Sequence, residues 1–82
     1  MSVWGGKYIK ANPRTVRGAR KRGWHVVDVP DTYHSKHRLS WLGVGMWTVN
    51  HTNGYFVDNF ATKQFAFERE EDASRFIFQF VI

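Results

Sequence analysis

Short clusters of apolar residues alternate with polar turns along the chain, and their spacing predicts an α+β fold. Residues 3–9, 24–29 and 64–68 are rich in β-branched and aromatic side chains, which favours short strands. Residues 42–51 are also predicted as a strand, although two glycines lie within this segment. Residues 31–38 are mainly polar and are predicted as a loop.

Asn53-Gly54 is the strongest local signal in the chain, because this pair favours a two-residue type I′ hairpin turn. The turn would join residues 42–51 to a following antiparallel strand. Cross-strand aromatic pairs indicate which side of the hairpin faces the core. That side carries Trp47 opposite Phe60, Val49 opposite Asp58, and His51 opposite Phe56.

Two segments are predicted as helices. The first covers residues 13–22, with Asn12 as its N-terminal cap and Gly23 directly after its basic last turn. The second starts at the acidic run 70–72, which suits a helix N-terminus, and continues to about Gln79. Its apolar face consists of Ala73, Phe76, Ile77 and Phe80. The apolar residues from position 76 onward also alternate, so a final strand is the alternative.

The length and composition fit one small domain, which is assigned to residues 1–82. The chain has 82 residues, of which 43% are hydrophobic and 17% aromatic, enough to form a packed core. We therefore predict an α+β domain with a small antiparallel sheet of about four strands, an N-terminal basic helix and a C-terminal helix. No apolar run approaches the roughly 20 residues of a membrane-spanning helix, so a cytoplasmic protein without membrane contact is expected.

Positive charge is concentrated in the first half of the sequence. Residues 1–40 contain nine lysines and arginines and two aspartates, a net charge of +7, whereas residues 41–82 contain three cations and five anions, a net charge of −2. Such a local excess of cations favours a polyanionic partner, either nucleic acid or an acidic patch on a protein complex. The predicted contact residues are Lys7, Lys10, Arg14, Arg17, Arg20, Lys21, Arg22, Trp24, Tyr33, Lys36 and Arg38.

A second set of residues indicates a protein partner. The segments around residues 41–46 and 78–82 are more apolar than one small core requires. They could bind a host protein or a second copy of the chain. The predicted interface residues are Trp41, Leu42, Phe78, Phe80 and Ile82.

The sequence gives little support to an enzyme. It contains no cysteine, and its glycines do not form a phosphate-binding loop. The predicted hairpin would place His51 diagonally beside Asp58, a pairing that can orient a general base, but no nucleophile accompanies it. His34-x-x-His37 and the acidic run 70–72 could hold a metal, although a solvated loop and a helix start explain them better. We predict no catalytic residue, no metal and no cofactor.

Residues 65–76 carry the one family resemblance in the chain. Phe65-Ala66-Phe67 followed by Glu70-Glu71-Asp72-Ala73 and Phe76 resembles the strand-to-helix ending of many small bacteriophage proteins. This resemblance implies an accessory protein made in an infected bacterial cell and implies no catalytic residues. Such proteins usually bind a host enzyme, the transcription machinery or a defence system.

The expected function is therefore that of a small, non-enzymatic binding protein. Its basic N-terminal half is expected to engage nucleic acid or a nucleic-acid-handling complex. The alternative is an inhibitor or modulator that binds a host protein through its aromatic surface, with the positive charge only steering the encounter.

Overall fold

The structure is a computed structural model, and it describes residues 13–82. Within this range, helices and strands follow one another in a mixed order. They are α1 (Val16–Lys21), β1 (His25–Asp28), α2 (Thr32–Lys36), α3 (Trp41–His51), β2 (Phe56–Asn59), β3 (Gln64–Phe67) and α4 (Glu70–Phe80). The predicted strand at 3–9, the predicted cap Asn12, and the cations Lys7 and Lys10 lie outside the described residues. Within the described part of the chain, no helix is long and apolar enough to cross a membrane.

The sheet confirms the predicted α+β class, and its part formed by residues 13–82 contains three antiparallel strands in the order β1-β3-β2. The central strand β3 pairs with both neighbours, so that Phe65 lies opposite Val27 on one side and Asp58 on the other. Its side chains alternate between the two faces of the sheet. Phe65 and Phe67 therefore face one way and Ala66 the other, and all three are fully buried.

Both faces of the sheet are covered by helices. On the face with the small residue Ala66, α1 packs through Val16 and Ala19. On the opposite face, α2, α3 and α4 contribute to a larger cluster around Phe65 and Phe67. Because Ala66 is small, the short helix α1 can lie close to its face of the sheet. On the other face, the large rings of Phe65 and Phe67 pack with three helices, and we call this larger cluster the main core.

The first helix is shorter than predicted. It begins at Val16, and its N-terminal cap is Thr15, whose hydroxyl accepts a hydrogen bond from the Gly18 N–H at 3.0 Å. The prediction of a helix from residue 13 is wrong, because the extended backbone of Thr15 separates Pro13 from the helix. Ser, Thr, Asp and Asn all cap helices well, so the sequence offered two cap positions three residues apart.

Gly23 ends α1 in a left-handed conformation, with φ of +81°. The Trp24 N–H donates to the Ala19 carbonyl and the Gly23 N–H donates to the Arg20 carbonyl, each at 3.0 Å. These two bonds define a Schellman motif, which requires a left-handed residue at the position of Gly23. The motif also brings Trp24 back against the apolar cluster of Val16, Ala19 and Ala66 beneath α1, which we call the small cluster.

We expect Gly23→Ala to lower the free energy of unfolding by about 1 kcal/mol, because a side chain disfavours the left-handed conformation. A Cβ at this position meets no atom within 4 Å, so only the backbone contributes. Urea denaturation followed by circular dichroism measures the change. Asn tolerates this conformation better, so Gly23→Asn should lose less, and equal losses would contradict the explanation.

Residues 41–51 are a helix, and their prediction as a strand is wrong. Ser40 caps α3 by accepting a hydrogen bond from the Gly43 N–H at 3.2 Å. Val44 and Thr48 are one helical turn apart, and both are fully buried. The Thr48 hydroxyl donates to the Val44 carbonyl at 2.9 Å, so this buried polar group is satisfied within the helix itself. The two glycines at 43 and 45 did not prevent the helix, because burial of this face outweighs their low helix propensity.

The Asn53-Gly54 pair does not form a hairpin, and the predicted pairs Trp47–Phe60, Val49–Asp58 and His51–Phe56 are wrong. The pair instead connects α3 to β2. The actual hairpin joins β2 to β3 through residues 60–63, with Asn59 opposite Gln64. Phe56–Asn59 is a strand, but its partner is β3 rather than residues 42–51.

The helix at the C-terminal end of the chain is confirmed, and the alternative of a final strand is wrong. Helix α4 buries Ala73, Phe76 and Phe80, which follow helical spacing. Phe78 lies between the last two and is 79% exposed, whereas a strand would place it on their face. The predicted loop at 31–38 contains the short helix α2, because Tyr33 turns its ring into the main core.

Candidate nucleic-acid interface

Helix α1 presents its cations on the face that points away from the sheet. Val16 and Ala19 are buried beneath the helix. Arg17 and Lys21 are one turn apart on the opposite side, and Arg20 lies beside them. All three cations are exposed. Arg14 is also exposed and lies directly before the cap residue Thr15, outside the helical periodicity. We call Arg14, Arg17, Arg20 and Lys21 the basic face.

These charges are not neutralised within residues 13–82. None of the four cations of the basic face forms an ion pair with an acidic side chain of that range, whereas Arg69 pairs with Glu71 at 3.8 Å. The first turn of α1 also contains no acidic residue. Four exposed positive charges on one short surface produce a field that attracts anions over about 10 Å at 0.1 M salt.

Two further predicted contact residues lie next to the basic face. Arg22 is the C-terminal cap residue of α1 and is exposed. Trp24 is half-buried and packs against the small cluster beneath α1. The Schellman motif fixes the backbone of both residues, so their positions relative to α1 are well defined.

Among the described residues, three further predicted contacts, Tyr33, Lys36 and Arg38, are separated from the basic face by the sheet. Tyr33 is only 6% exposed and belongs to the main core on the opposite face. Its predicted role as a stacking ring is therefore wrong, because its faces are covered by neighbours such as Trp41, whose ring centroid is 5.6 Å away. Lys36 and Arg38 are exposed, but Lys36 is the last residue of α2 and Arg38 follows two residues later, in the layer opposite α1.

The predicted protein-interface residues divide into exposed and core positions. Phe78 and Ile82 are each 79% exposed, and Leu42 is 55% exposed. Phe80 is buried in the main core, so its assignment to an interface is wrong. Met46 belongs to the apolar segment 41–46 but not to the predicted interface residues, and it is 50% exposed one helical turn after Leu42.

Trp41 is held by a hydrogen bond rather than left free at a surface. Its Nε1–H donates to the Asp58 Oδ2 atom at 2.7 Å across the gap between α3 and β2. The ring also packs on Phe65, with a centroid distance of 5.0 Å. The hydrogen bond from Trp41 takes the place of the Asp58–His51 pairing that the predicted hairpin implied. His51 instead stacks on Trp47, and its Nδ1 lies 2.8 Å from the Trp47 carbonyl oxygen.

The side chains considered as metal ligands have other surroundings. His34 is exposed and contacts Tyr33 edge-on, while His37 packs edge-on against Phe80. Asp72 is fully buried and accepts hydrogen bonds from the backbone of Asn53 and Gly54. Within residues 13–82 the structure brings together no group of three His, Asp or Glu residues suited to a metal ion.

The turn between β2 and β3 carries a feature that the sequence analysis missed. The Lys63 Nζ atom lies 3.7 Å from the centroid of the Phe60 ring and 5.9 Å from that of Trp41. The three-residue spacing of Phe60 and Lys63 around a turn was the available signal, but the predicted register assigned Phe60 to the core. The basic face can attract phosphates, and this turn can contact an aromatic group.

Comparison with protein-family models, with curated proteins and with solved structures finds no match to this chain.

Proposed function

We propose that this protein binds nucleic acid through the basic face of α1. The observation that carries the proposal is the cluster of Arg14, Arg17, Arg20 and Lys21, which are exposed and have no acidic partner within residues 13–82. A solvated helix needs only scattered charge, whereas exposed cations concentrated within residues 14–21 can contact several phosphates. Arginine adds paired donors that match the geometry of a phosphate group.

The packing of α1 supports this role because the cations stand on a fixed base. Val16 and Ala19 are buried against the sheet, Thr15 caps one end and Gly23 closes the other. A surface that is already ordered loses less entropy on binding than a flexible basic segment does. Trp24, half-buried beside the helix, adds an aromatic edge next to the phosphates.

The proposed role is to bind nucleic acid, and it includes no catalytic step. Sequence resemblance to small phage proteins predicts that the binding takes place in the cytoplasm of an infected bacterial cell. The nucleic acid can be free or part of a host complex that handles nucleic acid, since both present the same phosphates to the basic face.

A protein partner is the second candidate function. It is favoured by the exposed apolar residues Leu42 and Met46 on α3 and Phe78 and Ile82 near the end of the chain. Exposed apolar side chains of this size are typical of protein interfaces. In that case, the basic face would steer the encounter and contribute little to the final affinity.

Neutralising the basic face should weaken nucleic-acid binding strongly. We expect Arg17→Gln/Lys21→Gln to reduce affinity for a labelled oligonucleotide by roughly ten- to a hundredfold at 0.1 M salt, because two phosphate contacts are lost. For the same reason, the slope of log affinity against log salt should become shallower by about 1.8 for a duplex and by about 1.4 for a single strand. Fluorescence anisotropy at several salt concentrations measures both quantities.

A matched control distinguishes the effect of charge on the basic face from the effect of the net charge of the protein. Ser74→Glu/Gln79→Glu changes two exposed positions on α4 and lowers the net charge from +5 to +3, as the α1 double substitution does. The control should retain most of its affinity. Equal losses in the two variants would contradict the assignment to α1, and absence of binding by the unchanged protein at low salt would overturn the proposed function and favour the protein partner.

A further inference from the structure

The β2–β3 turn holds an exposed aromatic ring in a fixed position. Phe60 is 59% exposed, although it is one of the large apolar residues of the chain. The Lys63 Nζ atom lies 3.7 Å from its ring centroid and also donates a hydrogen bond to the Phe60 carbonyl oxygen at 2.9 Å. One side chain thus restrains both the ring and the backbone of Phe60 while leaving more than half of the residue open to solvent.

Trp41 connects this ring to the core. The Trp41 and Phe60 rings meet edge to face, with centroids 5.9 Å apart. Trp41 is itself fixed by its hydrogen bond to Asp58 at 2.7 Å and by packing against Phe65. We call Trp41, Phe60 and Lys63 the turn surface. It combines an open ring and a cation of the β2–β3 turn with a supporting ring from α3.

Lys63 occupies a backbone conformation that glycine would adopt more easily. Its φ is +55°, in the left-handed region, and its carbonyl oxygen accepts a hydrogen bond from the Val29 N–H at 2.8 Å. Arg38, three residues before Trp41, has φ of +54°. Among residues 13–82, these are the two non-glycine residues with positive φ, and both are cations. Long cationic side chains at such positions are a reason to suspect a use beyond the fold.

We propose that the turn surface stacks an unpaired nucleobase, so that the nucleic acid bound by this protein is single-stranded. The inference rests on the proposed function. An aromatic ring can stack only on a base whose face is open, and a duplex conceals those faces between neighbouring pairs. Lys63 supplies a cation next to the ring for the adjoining phosphate.

Trp41 of the turn surface packs on the main-core side of the sheet, so a strand that contacts both the turn surface and the basic face must pass around the molecule. The longest dimension of the molecule is 35 Å. In a stacked duplex each nucleotide advances a strand by about 3.4 Å, so a strand of about fifteen nucleotides spans roughly 50 Å. The basic face would then hold phosphates of the strand while Phe60 holds one of its bases.

The test compares a single strand of about fifteen nucleotides with a duplex of the same sequence. We expect the unchanged protein to bind the single strand more tightly. Phe60→Ala should weaken binding to the single strand by about tenfold and leave binding to the duplex unchanged, as loss of one stacking contact requires. Phe78→Ala removes an equally large, more exposed ring from α4 and should change neither affinity.

Lys63→Gly provides a variant that cannot fail through strain. Glycine relieves the left-handed backbone, so the fold should be retained, as thermal denaturation would check. The substitution removes the cation over Phe60, and we expect about a tenfold loss for the single strand.

The outcomes distinguish this inference from the proposed function. If the single strand binds and Phe60→Ala and Lys63→Gly behave like the unchanged protein, the turn surface is not involved, while dependence on Arg17 and Lys21 would keep the basic face. Tighter binding to the duplex would also overturn the inference alone. Absence of binding to both nucleic acids would overturn the inference and the proposed function together.

Discussion

The Phe76→Ala variant is expected to lose about 4 kcal/mol of unfolding free energy, within the 3–5 kcal/mol range typical of such core truncations. Phe76 is fully buried at the centre of the aromatic cluster. Its ring centroid lies 4.8 Å from that of Phe65, 5.2 Å from that of Phe67 and 4.9 Å from that of Phe80. A domain of 82 residues is stable by only about 4–12 kcal/mol, so this loss removes between about a third and all of its stability.

Urea denaturation followed by circular dichroism measures this loss, and Phe78→Ala is the matched control. The control removes the same side chain from the same helix two residues later, at a position that is 79% exposed. It should change the unfolding free energy by less than about 0.5 kcal/mol. Similar losses for both variants would mean that the two rings share a face, as in a strand, and would contradict the position of α4.

The elements that the sequence predicts correctly are those determined by their own residues. β1 and β3 carry β-branched and aromatic runs that are short and bounded by turn residues. The acidic run 70–72 marks the start of α4, and the helical spacing of Ala73, Phe76 and Phe80 matches its buried face. Local propensity and tertiary packing agree in these segments, so the sequence pattern is sufficient.

The predicted strand at 42–51 failed because its local signals were ambiguous and a distant contact decides the outcome. A short apolar run with internal glycines fits a buried strand or a buried helix. The helix is favoured by burial of Val44 and Thr48 against the main core and by the bond between Trp41 and Asp58, which are 17 residues apart. The choice of strand then made Asn53-Gly54 look like a hairpin turn.

The candidate site shows the same division. The basic face could be predicted because the charges of Arg17 and Lys21 follow from helical spacing over a few residues, although the exact start of α1 could not. The turn surface could not, because the hairpin register placed Phe60 opposite Trp47 in the core. Tyr33 was misplaced for a related reason, since burial of an aromatic residue in a polar segment depends on the elements that pack over it.

The shape of the Asn53-Gly54 connection is explained by Asp72 and not by the predicted hairpin. Its Oδ2 atom accepts a hydrogen bond from the Gly54 N–H at 2.8 Å, and its Oδ1 atom accepts one from the Asn53 N–H at 3.2 Å. The carboxyl group is fully buried in the first turn of α4. It thereby joins the end of α3 to the start of α4 across 19 residues of sequence, through bonds that a charged acceptor strengthens.

We expect Asp72→Asn to lower the free energy of unfolding by about 3 kcal/mol. The amide has nearly the same shape but one acceptor oxygen, so its NH₂ group faces a backbone N–H and a buried donor loses its partner. Urea denaturation measures the loss, and hydrogen exchange should show faster exchange of the Gly54 amide. Glu71→Gln removes the same charge from the neighbouring exposed residue and should cost less than about 1 kcal/mol. If the two variants were equally stable, Asp72 would act through the helix dipole alone and the connection would not depend on its two hydrogen bonds.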